Sequence, residues 1–164
     1  MAKTEQHLKD AFAGESQANR KYLAYAKKAE QEGYKQAARL FRAAAAAETI
    51  HAHNHLRELG VVKSTRENLM DAVNGESYEF QKMYPQMIVD AKAEGKDGAL
   101  KSFNYANEVE KVHAALYKKV LDSLGRNVDT DYYVCSVCGY TAEGSAPDVC
   151  PVCGSKKQAF MKSE

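Results

Sequence analysis

The sequence predicts a mainly α protein, an antiparallel four-helix bundle followed by a small C-terminal β domain that binds a metal. Two observations carry this. The pattern Glu-x-x-His occurs at Glu48–His51 and again at Glu110–His113, and each copy follows another glutamate at nearly the same distance, Glu15 by 33 positions and Glu76 by 34. All four cysteines fall in two Cys-x-x-Cys pairs near the end, Cys135/Cys138 and Cys150/Cys153.

The first pattern reads as two helical hairpins of matching length. Gly33 lies 18 residues from Glu15 and 15 from Glu48, while Gly95 lies 19 from Glu76 and 15 from Glu110. At a rise of about 1.5 Å per residue, antiparallel helices joined at those glycines bring their acidic groups to similar heights. On the last helix Phe103, Ala106, Glu110, His113, Tyr117, Val120 and Leu124 follow alternating steps of three and four, which makes one stripe. A carboxylate and an imidazole in such a seam are costly unless an opposite charge meets them. A metal ion is the partner that uses both. Hard carboxylates with two imidazoles suit iron or manganese, and one Glu from each of two helices plus Glu-x-x-His from the other two is the ligand set of di-metal carboxylate bundles. The expected ligands are Glu15, Glu48, His51, Glu76, Glu110 and His113. Glu79, one turn beyond Glu76, is either a seventh ligand or a solvated carboxylate behind them.

Taken in order, residues 4–33 form the first helix, with Leu8, Phe12, Glu15, Asn19, Tyr22, Ala26 and Ala29 on one stripe. The second runs from Lys35 to Leu59, with Gly60 as its C-terminal cap. Its run Ala43–Ala47 favours helix and permits close helix approach. His53 and His55 share this helix but have no partner at matching height, and His7 reads as a surface residue. Ser64-Thr-Arg-Glu67 fits a capping box that opens the third helix. Glu76 and Glu79 lie along its stripe with Leu69, Ala72 and Met83. Pro85 removes a helical hydrogen bond, which predicts a kink or a break into two shorter helices. Gly95 and Gly98 turn the chain into the fourth helix, which ends near Leu124-Gly125.

The expected division is a bundle over 1–125, a polar linker over 126–131 and a metal-binding domain over 132–164. Two Cys-x-x-Cys knuckles separated by 11 residues, each followed by glycine, give a four-thiolate tetrahedral site. Disulfides fit poorly, since Cys-x-x-Cys closes a strained short loop. Spacing alone leaves open whether zinc or a single iron sits there.

Composition narrows the partners. A net charge of +1 argues for neither nucleic acid nor an anionic membrane. No apolar run approaches the roughly 20 residues that span a bilayer, and the first residues lack the apolar core of a signal peptide. With every cysteine in the metal knuckles, none is left for structural disulfides, and a reducing cytoplasm is the expected compartment.

The combination of Glu15, Glu48-x-x-His51, Asn74-Gly-Glu76-x-x-Glu79-Phe80, Glu110-x-x-His113, Cys135-x-x-Cys138-Gly-Tyr140 and Cys150-Pro-x-Cys153-Gly154 resembles the rubrerythrin family over essentially the whole chain. That resemblance implies a ferritin-like di-iron bundle fused to a rubredoxin-like domain. It implies a cytoplasmic peroxidase that reduces hydrogen peroxide to water in oxidative-stress defence. Electrons would enter at an Fe(Cys)4 centre and derive from NAD(P)H through a separate donor protein, a rubredoxin or an NAD(P)H-dependent reductase. In the family one iron shifts between a Glu and a His ligand with redox state, and the matching positions are Glu79 and His51. Tyr22 and Tyr84 match family tyrosines near the cluster. The loop between the cysteine pairs is a residue shorter than in some members.

His113 lies 12 residues before Gly125, about 18 Å along the helix, and the linker is short. The tail is therefore expected to stay near that end, favouring a head-to-tail homodimer whose cysteine centre faces the other subunit's di-iron site. Two alternatives stand beside the peroxidase: a ferroxidase or oxygen reductase using the same site, and a non-catalytic metal-binding protein with zinc in the tail.

Overall fold

The structure, a computed structural model, describes residues 3–163. It divides into two compact units, one ending at Lys63 and the other beginning at Ser64.

The first unit is a helical hairpin of α1 (Lys3–Gln31) and α2 (Lys35–Leu59). Small residues set its packing. Ala26 and Ala29 of α1 and Ala38, Ala45 and Ala52 of α2 are its buried residues, and the last three recur every seven positions, so one seam of α2 lies against α1. Only Ala45 of the Ala43–Ala47 run is fully buried. Asn19 fastens the seam, its Nδ2 donating to the Ala45 carbonyl at 2.7 Å and to Thr49 Oγ1 at 2.9 Å. Nearer the turn, Tyr25 meets Phe41 edge-on at 5.5 Å between ring centroids, and Arg42 pairs with Glu30 at 2.5 Å. Gly60 closes α2 in the left-handed conformation (φ 63°), the cap expected of it.

The second unit starts with the expected capping box. Ser64 Oγ accepts from the Glu67 backbone N–H, and the Glu67 carboxylate accepts from the Ser64 backbone N–H. One continuous helical rod follows: α3 (Thr65–Tyr78), a π-helical turn (Glu79–Met83) and α4 (Tyr84–Ala93). Pro85 thus produces no break in the rod. Its ring would press on the Gln81 carbonyl of a regular α-helix, and the chain widens instead into a π turn whose last bond runs from the Tyr84 N–H to the Glu79 carbonyl. After the turn at Gly95, α5 (Asp97–Asp122) returns along the rod, with Tyr84 and Phe103 6.3 Å apart across the interface. Val109 and Ala114 are its buried residues.

The tail holds β1 (Tyr132–Cys135), β2 (Thr141–Glu143) and β3 (Phe160–Lys162), in an antiparallel sheet of order β2-β1-β3. Tyr140 and Phe160 meet edge-to-face beside it. The linker does not leave this tail at the far end of α5. The chain folds back, so that Gly139 comes against Val109, Thr141 reaches His113, and Glu143 pairs with Lys119. The expectation that the tail stays near the end of α5 is thereby corrected: within this unit the tail rests on its own α5.

Candidate metal centres

In the first unit, α1 contributes Glu15 and α2 contributes Glu48 and His51, whose donor atoms all lie within 4.8 Å of one another. One helical turn puts the His51 ring over Glu48, with Nδ1 2.9 Å from Oε2. Glu48 is largely covered, with 17% of its side chain exposed, while His51 stands half in solvent at 53%. Thr49, inside the same motif, anchors the backbone of α2 to Asn19 across the hairpin.

In the second unit, Glu76 of α3 meets Glu110 and His113 of α5, again with all donor atoms within 4.8 Å. His113 Nδ1 lies 2.7 Å from Glu110 Oε2 and 3.9 Å from Glu76 Oε1. The carboxyl of Glu76 is pushed up from 4.5 to about 7, first by burial and then by its hydrogen bond to Glu110 and the charges of Glu110 and Glu79. Such a site is charged beyond what its surroundings stabilise, as expected of a pocket whose counter-ion is a cation. Ligands on opposite sides of an ion with bonds of about 2.1 Å lie roughly 4.2 Å apart, so both triads have the span of a half-shell around a metal.

Glu79 stands outside both triads. It still feels this site: burial raises its pKa first, the charge of Glu110 adds to that, and His113 opposes. Tyr84 is likewise held protonated, by burial and then by Glu79, Glu110 and Glu76, which places its hydroxyl in the field of the carboxylates. Tyr22 packs in the first unit against Tyr25 and Phe41, at 6.3 and 6.2 Å. His53 lines a shallow cleft with Arg20 and Glu48 but joins no ligand group.

The four cysteines converge in the tail, with no disulfide among them. Cys135 Sγ and Cys153 Sγ are 3.7 Å apart, and Cys138 Sγ and Cys150 Sγ 3.6 Å. The edge of a tetrahedron with metal–sulfur bonds of about 2.3 Å is roughly 3.8 Å, so the sulfurs already stand where a tetrahedral ion holds them. Cys135 and Cys150 are buried, and Gly139, at φ 86°, makes the turn that closes the first knuckle. Burial raises the Cys138 and Cys150 thiols. At Cys153 burial also pushes up, but hydrogen bonds with Ser155 and with Cys138 and Cys150 outweigh it and bring the thiol down to about 6. The sequence reading missed Ser155, a sulfur partner at 3.2 Å, and it missed Thr141. Ser155 sits directly after the second knuckle's glycine, a position from which that partnership could have been anticipated.

Comparison with known proteins agrees with both kinds of centre. A family profile described as Rubrerythrin matches residues 6–121, and one described as Rubrerythrin, rubredoxin-like domain matches residues 133–161. Rubrerythrin-2 of Clostridium acetobutylicum is 38% identical over 98% of this chain and 96% of its own length. Nigerythrin of Nitratidesulfovibrio vulgaris is also 38% identical, over 96% of this chain and 85% of its own. Among solved structures, nigerythrin in a mixed-valence state matches at 36% identity and a TM-score of 0.60, covering 99% of this chain and 88% of that one. Its fully reduced, all-ferrous state matches at 35% and 0.61 with the same coverage. The fold class is that of a ferritin-like helical bundle with a rubredoxin-like tail, and the two Glu-Glu-His groups and the four-sulfur group fit iron cofactors.

Proposed function

The chain belongs to the rubrerythrin family of oxidoreductases, and from that premise we propose that it reduces hydrogen peroxide to water at a di-iron site, with electrons entering through the four-cysteine domain. Hydrogen peroxide, two electrons and two protons give two waters. In this reading Glu15, Glu48, His51, Glu76, Glu110 and His113 hold the pair of irons, with Glu79 as a seventh ligand that alternates with His51. Cys135, Cys138, Cys150 and Cys153 hold a further iron, and the functional boundaries are a bundle over 1–125, a linker over 126–131 and a tail over 132–164.

Held by these residues, a reduced di-iron centre would supply the electron pair for cleavage of the oxygen–oxygen bond. The protein's own part is to hold that centre and to present protons. Tyr84 remains an O–H donor, since burial and three carboxylates all disfavour its phenolate, and it offers a hydrogen bond to a substrate oxygen. Tyr22 offers a second hydroxyl from the aromatic group of the first hairpin. His51, about half exposed, is the more open of the two Glu-x-x-His imidazoles. The donor is a rubredoxin or an NAD(P)H-dependent reductase, the compartment is the cytoplasm, and the assembly is a homodimer. No helix among the described residues is long and apolar enough to cross a membrane.

One observation carries the reading: strand β2, which follows the first cysteine pair of the four-sulfur site, reaches His113 through Thr141, and His113 is a member of a Glu-Glu-His group. Storage of iron has no use for such a neighbour, whereas a redox cycle does. Anaerobic stopped-flow absorbance on the reduced, iron-loaded protein tests it. Hydrogen peroxide should oxidise the bundle centre faster than dioxygen does. Faster oxidation by dioxygen would favour an oxygen reductase, and zinc in the tail of protein isolated from its native host would remove the electron-entry role.

A further inference from the structure

Thr141 of the tail lies with its Oγ1 3.0 Å from His113 Nε2 and 3.3 Å from the Gly139 carbonyl oxygen. A threonine hydroxyl has one proton to give. Directed at the Gly139 carbonyl, that proton leaves Thr141 an acceptor toward His113, and Nε2 must then carry the hydrogen of their bond. The opposite ring nitrogen, Nδ1, faces the carboxylates of Glu110 and Glu76. A largely apolar cleft lined by Leu69, Leu116, Val120 and Val134 flanks the contact.

We propose that Thr141 is a positioning residue for the bundle metal site, accepting from His113 Nε2–H so that Nδ1 is the nitrogen offered to a metal beside Glu76 and Glu110. The inference rests on the reading that these three residues bind metal, and it makes the tail domain a working part of the site it serves. Metal-binding histidines generally donate their outer N–H to a partner that fixes ring orientation. Here that partner comes from a separate sheet, held in place by two further contacts on α5, Gly139 on Val109 and Glu143 on Lys119. Docking of the tail and readiness of the half-site are thereby linked.

The test uses the full chain with one equivalent of zinc, which the four soft thiolates take in preference to the carboxylate groups. With the bundle metal-free, nitrogen-15 NMR of the histidine rings should show a slowly exchanging Nε2–H at His113, with a nuclear Overhauser contact to residue 141. Thr141→Ser should keep this signal and Thr141→Val should lose its protection from exchange, while zinc retention and tail amide shifts report that each variant is folded. Titration with Mn(II), followed by the EPR signal of the free ion, should give roughly 10- to 100-fold weaker bundle binding in Thr141→Val and near-native binding in Thr141→Ser. A wild-type His113 without a proton on Nε2 would overturn the proposal, as would equal Mn(II) affinity in the valine variant. Failure of the wild-type bundle to bind Mn(II) at all would instead remove the metal-site reading, and the ring-proton measurement would still decide the Thr141 bond.

Discussion

Glu76 keeps its proton up to about pH 7 beside Glu110, because burial and the neighbouring carboxylate both disfavour a second negative charge. In the metal-free protein this couples folding to pH. The folded state binds a proton that the unfolded chain releases at 4.5, so the contribution to stability is complete below 4.5 and is lost as pH rises through about 7. Urea midpoints of the apoprotein should therefore fall across that window relative to those of Glu76→Gln. Metal affinity should move the opposite way, rising up to about pH 7 as the proton competes less with the ion. Isothermal titration with Mn(II) at several pH values measures it.

Replacement of Glu48 or Glu110 by alanine should empty the bundle of metal. The loss should exceed the roughly 100-fold typical of altering a residue that only supports a ligand. The apoprotein should be no less stable, and for Glu110→Ala slightly more so, because Glu76 is released from a like charge. Metal analysis paired with thermal melts of the chelated protein checks both halves.

Cys150→Ser should separate the two centres. Peroxide should still oxidise a chemically pre-reduced bundle site in a single turnover, while steady-state turnover with an external electron donor should vanish. Normal turnover in this variant would remove electron entry from the tail.

Gly139→Ala should destabilise the first knuckle by about 1–2 kcal/mol, the cost of a left-handed backbone for a residue with a side chain. The new methyl itself meets only Val109 at an ordinary 3.8 Å, so the penalty lies in the backbone. Faster release of the tail metal to a chromogenic chelator is the readout.

Ser64→Ala should cost about 1 kcal/mol, since both halves of the capping box depend on that side chain and on Glu67. Urea unfolding of the metal-free protein measures it.

Much of this was legible in the sequence because it is written in local spacing. Lys35, Leu59 and Gly60 bound α2 as expected, and Ser64–Glu67 opens α3, because caps depend only on residues a few positions apart. The two triads and the four sulfurs could be read for the same reason: an i, i+3 pair on a helix and a Cys-x-x-Cys knuckle fix their own geometry. What stayed hidden depended on contacts between distant segments. Thr141 is an ordinary strand residue until the sheet is laid on α5, and the six residues of the linker do not reveal that the chain doubles back. The effect of Pro85 was also only half readable, since one lost hydrogen bond permits a kink, a break or a widened turn.

That widened turn has a consequence for how the rod tolerates change. Five residues from Glu79 to Met83 carry one more than a regular helix would need for the same advance, so the surplus residue is taken up inside the turn and the segment beyond keeps the phase of the segment before. The turn works as slack between two lengths of shaft. Deleting a single residue there would draw the rod into a regular α-helix, with the Pro85 ring pressed on a carbonyl, whereas the same deletion within α4 would roll everything beyond it by about 100°.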